Sequence, residues 1–156
     1  MTLHQTLEGA TKLTTLDASE RHLAAGEGTA VQMWKIDPAT REWHFQCFLN
    51  PRNNRSLHKV GFVRRNPDAV VYSLDFSGSL HLWNHRSREV IAKFEGLGAD
   101  VNVAESGEYF FVASSEKIDL YSTDELLSEA KVMPLVRTVP LQDVIEGGKM
   151  TAKCPR

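Results

Sequence analysis

The sequence contains only two cysteines, Cys47 and Cys154, in 156 residues. They are too few and too far apart for the disulfide framework of a small secreted domain, so we expect free thiols in a reducing compartment. The chain also has no apolar run near the ~20 residues of a membrane helix, and its first residues lack the basic and apolar segments of a secretory leader. These absences predict a protein of the cytosol or nucleus that does not cross a membrane.

The chain has no large excess of charge of either sign, since it contains 18 Lys and Arg residues and 20 Asp and Glu residues, and its formal net charge is −2. Overall charge therefore gives no indication of nucleic acid or a membrane surface as the partner. Its content of 42% hydrophobic and 24% charged residues is typical of a globular protein. A chain of this length is near the commonest size of a single domain.

The sequence repeats itself with a spacing of 87 residues. Leu7-Glu8-Gly9 returns as Phe94-Glu95-Gly96, and Val31-Gln32-Met33-Trp34 returns as Ile118-Asp119-Leu120-Tyr121. A third copy lies between these two and ends in Leu80-His81-Leu82-Trp83. Half of the spacing is close to the ~40–45 residues of one four-stranded propeller blade. The pattern therefore predicts three blade-like units.

Each unit contains short apolar or alternating segments, separated by turns that are rich in Gly, Pro, Asp and Ser. In the first unit Trp43, Phe45, Cys47 and Leu49 occupy alternate positions of one predicted strand, which predicts that they share one buried face. The predicted strands are residues 13–16, 22–25, 31–36, 42–49, 60–63, 70–74, 80–84, 90–94, 100–103, 109–113, 117–121 and 133–139.

The predicted units are about residues 9–49, 57–96 and 97–140, and residues 141–156 are expected to form a flexible tail. The third unit differs from the others before its last strand. There Ser122 lies three residues ahead of Glu125, which is the spacing of a capping box and predicts a single helical turn.

The three units resemble the WD-repeat β-propeller family over about residues 7–140. The resemblance rests on segments in which a turn leads into a strand that ends in an aromatic residue, at 28–34, 77–83 and 115–121. It implies an all-β fold, a partial β-propeller of about three four-stranded antiparallel blades. Trp34 and Trp83 occupy matching positions, and we expect both to pack in the cores of their blades.

Three blades are too few to close a ring, because propellers typically have 4–8. The sequence therefore predicts bare sheet faces and an unpaired strand edge, which require a cover. The chain would be a piece of a longer propeller, or copies would associate into a ring, or a protein partner would supply the missing blades. All three alternatives imply protein–protein contact. The first hypothesis is a non-enzymatic interaction scaffold or a subunit of a larger assembly.

The two ends of the blades carry the candidate partner-binding residues. Turns at one end of the second unit predict a cluster of cations formed by Arg64, Arg65, His85, Arg86 and Arg88. Clustered guanidinium groups bind acidic peptides, phosphates or a nucleic-acid backbone. The second hypothesis is therefore an anion-binding module for phosphoinositide or nucleic acid. The alternative interpretation is a solvated surface that Asp68 and Glu89 partly neutralise.

The opposite end of the second unit holds another group of candidates, formed by Arg52, Arg55, His58 and Phe76. An exposed Phe76 beside arginines would anchor a protein partner. The alternative is a turn residue packed under its own loop. The histidines and cysteines lack the ligand spacing of a zinc site, and no catalytic constellation is present, so the sequence predicts no metal, no cofactor and no enzyme activity.

Overall fold

The computed structural model describes residues 5–7, 12–128 and 135–141. In these residues it contains strands β1 Leu13–Ala18, β2 His22–Glu27, β3 Ala30–Ile36, β4 Trp43–Leu49, β5 Leu57–Phe62, β6 Val70–Asp75, β7 Leu80–Asn84, β8 Glu89–Phe94, β9 Asn102–Glu105, β10 Tyr109–Ala113, β11 Lys117–Ser122 and β12 Leu135–Pro140, with helix α1 Thr123–Leu127. The strands form three four-stranded antiparallel sheets, named here sheet 1 (β1–β4), sheet 2 (β5–β8) and sheet 3 (β9–β12). Consecutive strands are neighbours in every sheet, as in a propeller blade. The predicted all-β fold of three blades is confirmed.

Sheets 1 and 2 belong to one compact unit of the chain, Met1–Ala99, and sheet 3 belongs to a second, Asp100–Arg156. In the first unit a single apolar cluster draws on both sheets. It includes Met33 and Leu49 from sheet 1 and Val60, Phe62 and Trp83 from sheet 2, all buried. Burial of such side chains is the main favourable contribution to folding, about 25 cal/mol per Å² of apolar surface. The two sheets therefore stabilise each other across this core.

Hydrogen bonds from the backbone of β5 also join sheets 1 and 2. The Asp17 carboxylate accepts a bond from the backbone N–H of Phe62 at 2.8 Å, and the Thr15 hydroxyl accepts one from Val60 N–H at 3.2 Å. The N–H of Leu57 donates to the carbonyl of Gly28 at 2.7 Å. These bonds fix β5 against β1, so the turns that follow β1 and β5 lie on the same side of the unit.

All three sheets contain a β-bulge at the same place, between their third and fourth strands. The register shifts at Met33/Trp34, Leu82/Trp83 and Leu120/Tyr121. In sheet 1 the extra residue is Gln46, because Cys47 pairs with Met33 whereas Phe45 pairs with Trp34. The prediction of one buried face on β4 was therefore wrong. Cys47 is buried, but the bulge turns Phe45 to the other face, where it is 44% exposed.

Sheet 3 has one buried and one half-exposed face. Phe110, Val112, Asp119 and Tyr121 alternate with less buried neighbours along β10 and β11. The helical turn predicted beside this sheet is confirmed, because α1 begins after Ser122, whose side chain accepts a bond from Glu125 N–H. The predicted tail lies, apart from residue 141, outside the described residues.

Candidate functional site

A cleft of about 290 Å³ lies inside the first unit and is lined by both of its sheets. Sheet 1 and its first turn contribute Arg21, His22, Met33, Lys35, Gln46 and Cys47, and sheet 2 with its turns contributes Asp68, His85, Arg86 and Arg88. We call it the basic cleft, because four of these side chains are cations and one is a carboxylate. Such a concentration of one sign of charge attracts anions.

The wall from sheet 1 is held by the turn before β2. The Ser19 hydroxyl accepts a hydrogen bond from His22 N–H at 3.0 Å, and Ser19 N–H donates to the His22 carbonyl at 2.8 Å. The Arg21 carbonyl accepts a bond from Ile36 N–H at 3.0 Å. Arg21 and His22 therefore stand on a fixed backbone at the mouth of the cleft.

The wall from sheet 2 is the turn between β7 and β8, and Asn84 organises it. The Asn84 side chain accepts bonds from the N–H groups of Arg86 at 3.0 Å and Ser87 at 3.1 Å. Its carbonyl accepts a bond from Arg88 N–H at 2.8 Å, where Arg88 has a φ of +65°. The Arg86 Nε–H donates to the carbonyl of Asp68 at 2.8 Å. These bonds place both arginines at the cleft.

Two buried histidines meet in the basic cleft, with 4.6 Å between the ring centroids of His22 and His85. His85 Nε2 lies 3.2 Å from the carbonyl of Pro67, and since a carbonyl only accepts, Nε2 carries the proton. His22 is 7% exposed, and its Nδ1 has no hydrogen-bond partner in the described part of the chain. The Asp68 carboxylate lies 3.7 Å from this nitrogen. His22 thus presents an unsatisfied buried nitrogen.

Burial determines the protonation of both histidines. Burial and, to a smaller extent, the positive charge of a protonated His85 lower the pKa of His22 to about 4, while Asp68 opposes the shift. Burial likewise lowers the pKa of His85, against the hydrogen bond to Pro67. Both rings are therefore neutral at pH 7, and the positive charge of the cleft comes from its arginines and lysine.

Cys47 lies at the inner end of the basic cleft as a free, buried thiol. Burial raises its pKa, and the Arg88 guanidinium only partly opposes this effect. A thiol that stays protonated is a poor nucleophile. Cys47 therefore serves as a small apolar core residue.

The structure brings together part of the cationic cluster predicted at one end of the second sheet. Arg86 and Arg88 line the basic cleft, whereas Arg64 lines an adjoining cleft of about 410 Å³. Arg65 is exposed and lines neither of them. Sequence reasoning missed the residues that sheet 1 adds, which are Arg21, His22 and Lys35. The signal available for Arg21 was its place in the turn between β1 and β2, which matches the turn holding Arg64 and Arg65.

At the opposite end of sheet 2 the structure brings His58 and Phe76 together. Their ring centroids are 4.9 Å apart in an edge-on arrangement, and Phe76 is 53% exposed. Phe76 N–H donates to the carbonyl of Ser56 at 3.1 Å, which ties the loop before β5 to this turn. Arg52 and Arg55 are exposed on that loop.

The face of sheet 1 turned away from sheet 2 carries a cluster of aromatic side chains. The rings of Trp34 and Phe45 lie 5.5 Å apart, and those of Phe45 and Phe48 lie 5.0 Å apart. Phe48 is 54% exposed, and Leu16 on β1 is also exposed. We call this surface the aromatic face. The expectation that Trp34 is a core residue was wrong, because Trp34 is only half-buried here.

Within residues 5–7, 12–128 and 135–141, no group of three or more His, Cys, Asp or Glu side chains is placed to hold a metal ion. None of the helices described there is long and apolar enough to span a membrane.

No protein-family model and no curated protein matches the sequence. Among solved structures, the chain is similar to the crystal structure of the computationally designed Ika4 protein, with a TM-score of 0.65 and 17% sequence identity. The match covers 88% of this chain and 80% of that chain. Because 586 chains of known structure match, the architecture is widely shared. At this identity the likeness shows the fold alone.

Proposed function

We propose that this chain is a non-enzymatic interaction scaffold that assembles through partly bare faces of sheet 1 and sheet 3. The observation that carries the proposal concerns three equivalent aromatic residues, one at the bulge of each sheet. Trp83 is 3% exposed and Tyr121 is 7% exposed, whereas Trp34 is only half-buried. The aromatic residue of sheet 1 is thus the least buried of the three.

The residue before each of these aromatics points to the other face of its sheet. On that face the least buried of the three residues belongs to sheet 3 instead of sheet 1. Met33 and Leu82 are fully buried, whereas Leu120 is half-exposed. In the first unit the Met33 face of sheet 1 packs against the Trp83 face of sheet 2 in one core. The aromatic face corresponds to the Trp83 face, and the Leu120 face of sheet 3 corresponds to the Met33 face. We therefore expect a Leu120 face to cover the aromatic face.

A second copy of this chain is the occupant we propose for the aromatic face. Each copy carries both a Trp34 face and a Leu120 face that are only partly buried, and two copies together hold six blades, within the 4–8 of closed propellers. Such a contact joins two different surfaces, and it closes when each copy uses both of them. Exposed apolar surface of this kind drives association in water.

Sedimentation equilibrium of the wild-type chain and of Phe48→Glu tests the proposal. We expect a discrete dimer for the wild type and a monomer for the variant, because a carboxylate buried in an apolar contact is costly. Phe76→Glu is the matched control, since Phe76 is 53% exposed and Phe48 is 54% exposed. It should remain dimeric. Far-ultraviolet circular dichroism checks that all variants are folded.

A mixture of two variants tests the two proposed contact surfaces separately. Leu120→Glu alone should be monomeric, but a mixture of Phe48→Glu with Leu120→Glu should form a dimer through the one contact that keeps both native faces. A wild type that is monomeric, a dimer unaffected by Phe48→Glu, or a mixture that fails to associate would overturn this mode of assembly.

A second candidate function is the binding of an anionic group. We propose it because Arg86 and Arg88 share the basic cleft with Arg21 and Lys35 from the other sheet. Steep loss of anion binding between low and moderate salt would support this function, and salt-insensitive binding would contradict it.

A further inference from the structure

The basic cleft combines two independent features of a ligand site. The first is convergence, since cations from both sheets line one cavity of about 290 Å³. The second is the unpaired Nδ1 of His22, a buried nitrogen in the wall of that cavity. A buried polar atom without a partner costs roughly 1–3 kcal/mol. A ligand that supplies an acceptor to this nitrogen would remove that cost.

We infer that the basic cleft binds a phosphate monoester, with Arg21, Lys35, Arg86 and Arg88 around the phosphoryl group and His22 as an additional donor. A phosphate monoester carries about −1.5 to −2 charges at neutral pH and three strong acceptor oxygens. Guanidinium groups match these oxygens with paired N–H donors. Because the lining has a single carboxylate against four cations, a dianion satisfies the site better than a monoanion.

The arginines of sheet 2 are positioned for this role. Arg86 uses its Nε–H for the Asp68 carbonyl, which orients the guanidinium and leaves its terminal N–H groups for a ligand. The Asn84 turn fixes the backbone of both Arg86 and Arg88. A preorganised cation loses less freedom when it binds an anion than a mobile surface side chain does.

A bound dianion would also change the protonation of the two histidines. In the free protein, burial and the cations Lys35 and Arg86 disfavour the charged form of His22, while Asp68 favours it. The same three groups act on His85. A phosphate between these side chains adds a stronger negative charge than Asp68, so the pKa of His22 should rise on binding.

The site is distinct from the aromatic face. Met33 and Cys47, which line the cleft, lie on the face of sheet 1 opposite to Trp34. Loss of assembly and loss of phosphate binding can therefore be measured separately.

Glycerol 3-phosphate, observed by NMR titration of the full chain, is the first probe. We expect saturable shifts of the His22 and His85 ring signals and a higher pKa of His22 in the bound state. The double variant Arg21→Gln/Arg86→Gln should bind at least about tenfold more weakly, since each charge-assisted bond contributes on that scale. Arg55→Gln, an exposed arginine outside the cleft, is the matched control and should bind as the wild type does.

Vesicles of phosphatidylcholine with and without phosphatidic acid distinguish a lipid headgroup from a soluble monoester. Co-sedimentation that requires Arg21 and Arg86 identifies the lipid source, and binding of glycerol 3-phosphate without co-sedimentation identifies the soluble source. Equal weakening by Arg55→Gln, or shifts that exclude both histidines, would overturn the inference. If the double variant fails to fold, Lys35→Gln, at an exposed position, replaces it with the same expectation.

Discussion

The indole N–H of Trp83 donates a 2.9 Å hydrogen bond to the hydroxyl of Ser73 inside the core of the first unit. Both residues are buried. Removing the hydroxyl with Ser73→Ala leaves the indole N–H without a partner, so we expect a loss of about 1–2 kcal/mol in the free energy of unfolding. Urea denaturation measures it. Ser87→Ala, at an exposed turn, is the control and should change stability by less than about 0.5 kcal/mol.

The turn between β6 and β7 requires glycine at position 78. Gly78 has a φ of +81°, and a Cβ there would lie 2.3 Å from the carbonyl oxygen of Gly98. Gly28 occupies the corresponding turn of sheet 1 with a φ of +53° and no atom within 4 Å of a Cβ. We expect Gly28→Ala to cost about 1 kcal/mol, from backbone strain alone, and Gly78→Ala to cost clearly more. Similar thermal unfolding of the two variants would contradict this explanation.

The buried His22 should make stability depend on pH. The unfolded chain takes up a proton at His22 near pH 6.5, whereas the folded chain does so only near pH 4. Stability should therefore fall as pH drops through this interval, by about 3 kcal/mol for this residue at pH 4. His22→Gln should reduce the slope of the unfolding free energy against pH. Part of this slope will remain, because burial also lowers the pKa values of His85 and His81.

Asp75 stabilises the turn after β6 through its buried carboxylate. It accepts bonds from Ser77 N–H at 2.9 Å and Ser79 N–H at 3.0 Å. Burial raises the pKa of Asp75, but the bond from the Ser77 hydroxyl, the two N–H bonds and the bond from Asn53 outweigh it and lower the pKa below 3.8. Its contribution is therefore present above pH 3.8 and is lost as the pH falls below it. We expect Asp75→Ala to cost about 3 kcal/mol at pH 7.

Asp37 provides the matched control for Asp75, because it makes the same kind of turn at a half-buried position. Its carboxylate accepts a bond from Ala39 N–H at 2.8 Å. Asp37→Ala should cost about 1 kcal/mol, since water can replace the lost acceptor. Equal losses for the two variants in chemical denaturation would show that burial does not decide the strength of these turns.

Most of the strands could be predicted from the sequence, because turn residues separate short apolar segments throughout. Residues 80–84 and 109–113 coincide with Leu80–Asn84 and Tyr109–Ala113. The face of the sheet on which each side chain lies was harder to predict from the sequence. Alternation assigns Phe45 and Cys47 to one side of β4, and the additional residue Gln46 in the bulge separates them. A single sequence does not mark such an insertion, since the residue looks like any other strand position.

The candidate sites depended on contacts between residues far apart in the chain. Arg86 and Arg88 could be grouped because one turn holds them both. Arg21 and Lys35 join them only after β1 has docked on β5, and no local pattern encodes that docking. Trp34 illustrates the same limit, since it repeats Trp83 in sequence but lacks the neighbouring sheet that buries Trp83.

The bulges have a consequence for aggregation. In each sheet the additional residue lies on the last strand, at Gln46, Ile91 and Val136. An incoming strand from another molecule extends a sheet only along an uninterrupted row of backbone donors and acceptors, and a bulge displaces that row and twists the strand away. Growth of fibrils by strand addition is therefore hindered at the edge that the last strand of each sheet presents.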